Sequence, residues 1–295
     1  MKPLFMWAGG KKKLLKKYEP HLPQDFDTYV EPFLGGGAMF IWAYTQNPDR
    51  TFHLNDLNDG IMAIYEAVKN DLEPFLRRLD DLSAQFLPKT KEDRKAFYYE
   101  LRQEHAYDYQ KWTRTEEAAT LYFLMKTGFN GIWQLNKNTN GRFGTPSGLL
   151  KQKDKVYDRE NVMAWHEALQ KCKLYNVDFK ELQEVVDKDT YVFLDPPYRG
   201  SFTQYGVDFD DDLQQSVVDF VNDAAAKGAY CLMSNRDVDD GFFEARVGSN
   251  EMVYFDVTYT AGRRKKVDDG YEAKKAREIL MIGGCLLYTS DAADE

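Results

Sequence analysis

The sequence predicts an α/β fold built on a seven-stranded, mostly parallel sheet, and three patterns in it carry that expectation. Short β-branched and aromatic runs alternate with helical periods along most of the chain. A glycine cluster, Gly35-Gly36-Gly37, sits between the first such run and a helical one, the strand–turn–helix geometry in which backbone closely approaches a ligand. The run over residues 190–194 is apolar throughout, as a strand buried on both faces must be, and is then cut off by Pro196-Pro197.

Taken in order, Trp7-Ala8-Gly9-Gly10-Lys11 joins an aromatic face, two glycines and a cation, but lacks the spacing and the Ser or Thr of a phosphate-binding P-loop. A short basic helix over 12–18 follows. The first strand is expected over 27–31 and leads through Glu31-Pro32-Phe33-Leu34 into the glycines; Phe40 stands where a dinucleotide fingerprint wants a third glycine, which disfavours a nicotinamide oxidoreductase. A second strand, 51–55, ends in Asn55-Asp56-Leu57-Asn58. Asp56 lies about twenty residues past the glycine turn, placed for ribose hydroxyls, while Asn58 or Asp59 can cap a helix over 61–69.

Residues 59–127 then show only helical spacing, an insertion between the second and third strands. Asn140-Gly141 marks a hairpin over 129–148, anchored by Phe129, Trp133, Leu135 and Phe143, with Gln134, Asn136 and Asn138 alternating between them. Further strands are expected at 174–177, 190–194, 229–234, 253–259 and 278–282, with a helix over 212–227; the last two strands form a terminal antiparallel pair. The expected division is 1–57 and 159–284 for the sheet domain and 58–158 for the helical insertion. Residues 285–295 resemble a sequencing adapter read in frame, so the natural chain is expected to differ beyond Gly284.

The chain has 295 residues, net charge -9 and three scattered cysteines, which fits a reducing cytosol without a disulfide framework. It offers no membrane-length apolar run, no apolar leader and no metal-ligand spacing among its four histidines. The charge is polarised. Residues 1–18 hold six lysines and no acid, and residues 263–277 hold seven bases against three acids, so one face can bind phosphates despite an acidic total.

Asp195-Pro196-Pro197-Tyr198 is the chemically distinctive stretch. The Asp195 carboxylate and the Pro196 carbonyl are two acceptors for one planar –NH2 group, Tyr198 offers a face for the ring bearing it, and the prolines supply no competing donor. In open α/β sheets ligands bind at such carboxyl ends of strands.

In this order the motifs resemble those of the Dam-type, alpha-group DNA adenine methyltransferases, and the likeness runs from Lys2 to about Gly284. It takes in Gly128-Phe129-Asn130-Gly131, Ser234-Asn235-Arg236-Asp237 and Arg264-Lys265-Lys266-Val267-Asp268. The resemblance implies a Rossmann-like methyltransferase fold, with Trp7, Lys11, Phe33, Gly35, Gly37, Asp56, Asp178, Phe179 and Asp195 around S-adenosylmethionine and no metal. It implies that Asp195, Pro196, Pro197 and Tyr198 hold a flipped-out adenine of double-stranded DNA. Asn130, Trp133, Gln134, Asn136, Asn138, Arg142, Arg264, Lys265 and Lys266 would contact that DNA, with GATC as the default site. Gln134 departs from the arginine that GATC-reading members carry there, because glutamine cannot make the bidentate guanine contact. A cytoplasmic monomer of a bacterial or phage-infected cell is expected. The competing readings are a methyltransferase of the same fold acting on RNA or a protein glutamine, and a catalytically inactive DNA-binding relative.

Overall fold

A computed structural model describes residues 1–7, 10–11, 14–200, 209–259, 265–267, 270–272 and 274–284. Its sheet strands are β1 (Thr28–Glu31), β2 (Thr51–Asn55), β3 (Cys172–Tyr175), β4 (Thr190–Leu194), β5 (Tyr230–Asp237), β6 (Glu251–Tyr259) and β9 (Lys274–Gly283), in the order β3-β2-β1-β4-β5-β9-β6. This is the expected seven-stranded sheet. A separate two-stranded ribbon, β7 (Lys265–Val267) with β8 (Gly270–Glu272), was not foreseen. Residues 285–295, with their suspected adapter sequence, lie outside the described residues. The chain divides into two compact units, Met1–Lys16 with Phe33–Asp178, and Lys17–Pro32 with Phe179–Phe202 and Phe209–Glu295.

In the first unit β2 and β3 pair in parallel, from Phe52 opposite Cys172 to Asn55 opposite Tyr175. The third strand thus lies two residues earlier than its periodicity predicts. The cause is Asn55, whose side chain accepts from the Val177 amide at 3.0 Å and donates to the Val177 carbonyl at 3.2 Å, so the backbone past Tyr175 bonds a side chain instead of a strand. Around this pair lie α2 (Ala38–Gln46), α3 (Asp59–Asn70), α4 (Leu72–Phe86), α5 (Lys91–Tyr107), α6 (Arg114–Thr127) and α7 (Arg159–Leu169). Asn58 caps α3 by accepting from the Ile61 amide, and a reciprocal Thr113–Glu116 capping box opens α6. Because α6 is buried on nearly every side, α3, α4 and α5 pack around it.

The predicted hairpin is a looser structure. Only the isolated bridges Gly128–Ser147 and Leu135–Phe143 pair its arms. Asn140 and Gly141 do adopt left-handed φ of 53° and 71°. A 3₁₀ turn at Lys137–Thr139 precedes them, however, and the Thr139 hydroxyl reaches the carbonyls of Asn136 and Arg142, both at 2.9 Å. Side-chain bonding across the tip displaces the two-residue turn.

In the second unit β4 is buried over its whole length and pairs in parallel with β1 and β5, while β9 runs antiparallel between β5 and β6. Helix α8 (Asp211–Ala226), capped by the Asp210 carboxylate, covers one face through Val217, Val218, Phe220 and Val221. Helix α1 (Leu15–Tyr18) contributes Tyr18, whose ring packs on Phe193 and Phe255. Among the described residues no helix is long and apolar enough to cross a membrane.

His105 on α5 is 2% exposed, and neither ring nitrogen has a hydrogen-bond partner among the described residues. Burial, reinforced by the nearby Arg142 charge, pushes the imidazole down from 6.5 to about 3. The unfolded chain therefore binds a proton near pH 6.5 that the folded chain refuses until about pH 3, so stability is lost as pH falls through that window. His105→Leu is expected to flatten the fall in urea midpoint between pH 6.5 and 4, and an unchanged slope would count against this assignment.

Candidate active site

In the first unit the glycine turn is fixed from three sides. The Leu34 amide donates to the Asn55 carbonyl at 2.8 Å, Tyr65 donates to the Gly35 carbonyl at 2.9 Å, and the Gly35 amide donates to Asp56 Oδ2 at 2.8 Å. Asp56 Oδ1 accepts from the Asn58 amide at 2.9 Å. The acid and the helix cap inferred at this strand tip are thus both present, on different residues. Burial raises the Asp56 carboxyl above its usual range, and the two amides hold it back part of the way.

Gly35 and Gly37 have φ of 47° and 68°, open only to glycine at little cost. A Cβ on Gly35 would lie 2.7 Å from the Trp7 indole, and one on Gly37 would lie 2.6 Å from the buried Trp165 ring. Trp7 thus lies against the glycine turn. Lys11 is buried, Phe33 half-buried and Asp178 exposed. Phe179 belongs to the second unit, buried against Phe220.

In the second unit the last β4–β5 pairing is Leu194 with Met233. One step further along that parallel register Asp195 meets Ser234, whose hydroxyl donates to Asp195 Oδ1 at 2.9 Å. Strand alternation then turns Asn235 to the opposite face. There Asn235 donates to Gln214 Oε1 at 2.9 Å, and Gln214 donates to the Pro197 carbonyl at 2.8 Å. Ser234, Asn235 and Gln214 are fully buried, so both ends of the Asp-Pro-Pro corner are held by enclosed hydrogen bonds. Arg199 anchors the exit by pairing with Asp211 and Asp240 and lying 4.1 Å over the Phe242 ring. The Tyr198 hydroxyl donates to Glu278 Oε2 at 3.1 Å.

Sequence reading quoted Ser234 and Asn235 without a role and missed Gln214, Arg199, Tyr18 and Glu278. One signal was there for Glu278: an acid opening the otherwise apolar run Glu278-Ile279-Leu280-Met281-Ile282. Gln214 gave none, since a glutamine in an amphipathic helix reads as solvated.

The residues expected to meet DNA are placed differently from one another. Asn130, with φ of 51°, and Asn138 are exposed; Gln134 and Asn136 are half-buried, and Asn136 caps the 3₁₀ turn. Trp133 is buried, its ring 5.9 Å from Trp7 and 5.4 Å from Phe143. Arg142 pairs with Glu117 and stacks 3.7 Å over Tyr109. Trp133 and Arg142 are therefore engaged within the protein. Lys265 and Lys266 lie on β7, and Arg264 is outside the described residues.

A glycine turn follows β1, an acid follows β2 and an Asp-Pro-Pro-Tyr corner follows β4, the carboxyl ends of strands at which open α/β sheets bind ligands. The chain belongs to the D12 class N6 adenine-specific DNA methyltransferases, whose family model matches residues 7–260. It is 33% identical over 261 residues to the type II methyltransferase M.MjaIII of Methanocaldococcus jannaschii, covering 85% of this chain and 89% of that protein. It is 26% identical over 272 residues to a DNA adenine methylase of Salmonella typhi, covering 89% and 91%. It is also 28% identical over 243 residues to a DNA N-6-adenine-methyltransferase of Escherichia phage P1, covering 79% of this chain and 29% of that longer protein. The protein is thus an adenine-specific DNA methyltransferase, and its family implies S-adenosylmethionine as methyl donor.

Gly37→Ala forces a Cβ toward Trp165 at a left-handed position. Its expected cost is roughly 1–3 kcal/mol, read as a lower urea midpoint with unchanged slope.

Proposed function

We propose that the enzyme transfers a methyl group to the exocyclic N6 amine of an adenine flipped out of duplex DNA, at GATC or a closely related site. The observation that carries this reading is the Asp195-Pro196-Pro197-Tyr198 corner, its carboxylate fixed by Ser234 and its Pro197 carbonyl by Gln214. With Pro197 engaged by Gln214, the Pro196 carbonyl and Asp195 are the acceptors assigned to the amine.

The residues of the first unit fit the methyl donor. Asp56 presents a carboxylate whose two oxygens each accept one amide and keep a lone pair for a ribose hydroxyl, and Gly35 and Gly37 lack the Cβ that would fill the turn. Trp7, Lys11, Phe33, Gly35, Gly37, Asp56, Asp178, Phe179 and Asp195 are the residues proposed to hold S-adenosylmethionine. When bound, the donor supplies an electrophilic methyl on a sulfonium.

The protein's part is placement. Flipping the base costs a few kcal/mol, and stacking on Tyr198 returns on the order of 1–3 kcal/mol. Adenine's amine is a weak nucleophile because its lone pair is delocalised into the ring. Accepting its two N–H bonds at Asp195 and the Pro196 carbonyl draws the nitrogen toward tetrahedral geometry and localises that pair. With its lone pair so localised by Asp195 and the Pro196 carbonyl, the nitrogen would take the methyl group from the donor, which would leave as S-adenosylhomocysteine, and the methylated nitrogen would shed one proton to solvent.

Groove contacts are proposed for Asn130, Trp133, Gln134, Asn136, Asn138, Arg142, Arg264, Lys265 and Lys266, of which Asn130 and Asn138 are exposed in the fold. Glutamine at 134 suits adenine better than guanine, so the outer base pair is where departure from GATC is expected. The assigned state is a cytoplasmic monomer.

Incubation with S-adenosylmethionine and unmethylated plasmid should yield N6-methyladenine by mass spectrometry, mapping to one short sequence. Asp195→Ala should lower the methylation rate by on the order of 10²-fold or more. Asp56→Ala should raise KM for the donor by roughly tenfold with a smaller change in kcat. Methyl transfer to RNA or protein but not to DNA would overturn the proposed substrate.

A further inference from the structure

Behind the Asp-Pro-Pro-Tyr corner lies a buried polar cluster that the mechanism above does not use. Glu278, on β9, is 2% exposed. Its Oε2 accepts from the Tyr198 hydroxyl at 3.1 Å and from the Tyr18 hydroxyl at 3.4 Å. Ser234, already bonded to Asp195, lies on the same strand face. Strand register accounts for the gathering: Leu280 opposes Ser234 and Glu278 opposes Arg236, so Ser234 and Glu278 share one face of the sheet. Tyr18 closes that face from α1, its ring held by Phe193 and Phe255.

An acid in an apolar strand is costly unless partnered, and a leucine there would pack against the same neighbours. What the acid adds is direction. A stacking ring held only by packing can slide and tilt, whereas a ring whose hydroxyl is tied to a fixed acceptor has its long axis set at both ends, and because a phenolic O–H prefers the ring plane, the direction of the acceptor also biases the tilt. Burial, with Asp195, Tyr18 and Glu278 adding to it, raises the Tyr198 phenol well above its usual range; burial and Glu278 do the same for Tyr18. Both hydroxyls therefore keep their protons and donate. Glu278 thus receives two phenols, one from the catalytic corner and one from a core helix.

We propose that Glu278 is a positioning residue for methyl transfer, orienting the Tyr198 ring on which the target adenine stacks, with Tyr18 bracing Glu278 from behind. The proposal rests on the assignment of Tyr198 to the adenine.

The test uses the full chain, S-adenosylmethionine and the plasmid substrate, with donor affinity measured separately by calorimetry. Tyr198→Phe removes one hydroxyl and leaves the ring, while Glu278→Ala removes the acceptor. Each should lower kcat by about tenfold, with KM and Kd for the donor within about twofold of the parent. Glu278→Gln keeps an oxygen acceptor for the phenols and should recover most of what Ala loses. Because the acid works through the hydroxyl, the Tyr198→Phe/Glu278→Ala double variant should be no slower than the slower single variant. A parent-like kcat for Tyr198→Phe, or losses that multiply in the double variant, would overturn the proposal. Should Glu278→Ala fail to fold, Tyr198→Phe and Glu278→Gln still decide: a kcat for Glu278→Gln as low as that for Tyr198→Phe would overturn it. A parent enzyme that makes no methyladenine would defeat the underlying substrate assignment instead, a result visible before any variant is compared.

Discussion

Strand β4 is buried along all five of its residues, and two prolines forbid it to continue. Much of the second unit follows from that constraint. β4 stops while its neighbour β5 runs on, and Ser234 and Asn235 are the first β5 residues past the last β4 pair. Their side chains replace the missing ladder on both faces, one through Asp195 and the other through Gln214 to the Pro197 carbonyl. The Asp-Pro-Pro corner is thus the form this strand ending takes when its buried polar groups are satisfied.

The first unit solves a parallel problem with glycine and one acid. Left-handed backbone at Gly35 and Gly37 turns the chain tightly enough for the Gly35 amide to reach Asp56, while Tyr65 holds the Gly35 carbonyl. The indoles of Trp7 and Trp165 stand close to where side chains would be on those glycines. The turn is therefore shaped by exclusion as much as by bonding. Asp56 pays for its enclosure with a raised carboxyl, a common mark of a group kept for binding rather than for stability.

Much of this was legible in the chain. Strands β1, β2 and β4 fall within a residue of where their patterns place them, and the helical stretch after Asp59 contains no strand. Asp56, the glycine turn and the Asp-Pro-Pro-Tyr corner stand at strand tips because glycine, proline and β-branched residues act through their own backbone limits. The reading faltered where side chains compete with backbone. Asn55 ends β3 early, and Thr139 reshapes the Asn-Gly tip. The partners of Arg142, Glu117 and Tyr109, lie 25 and 33 positions earlier in the chain and had no local signal.

The sequence by itself determined the class of fold, the order of its elements and the place of the Asp-Pro-Pro-Tyr corner, because periodicity and the stereochemistry of glycine and proline are local properties. Only the tertiary structure decided which residues support that corner. Gln214 on a helix, Tyr18 near the start of the chain and Glu278 near its end gather around β4 through pairings between segments up to 260 residues apart. No local pattern can show that a particular glutamine or glutamate faces inward, because its burial is set by the neighbours the fold brings to it.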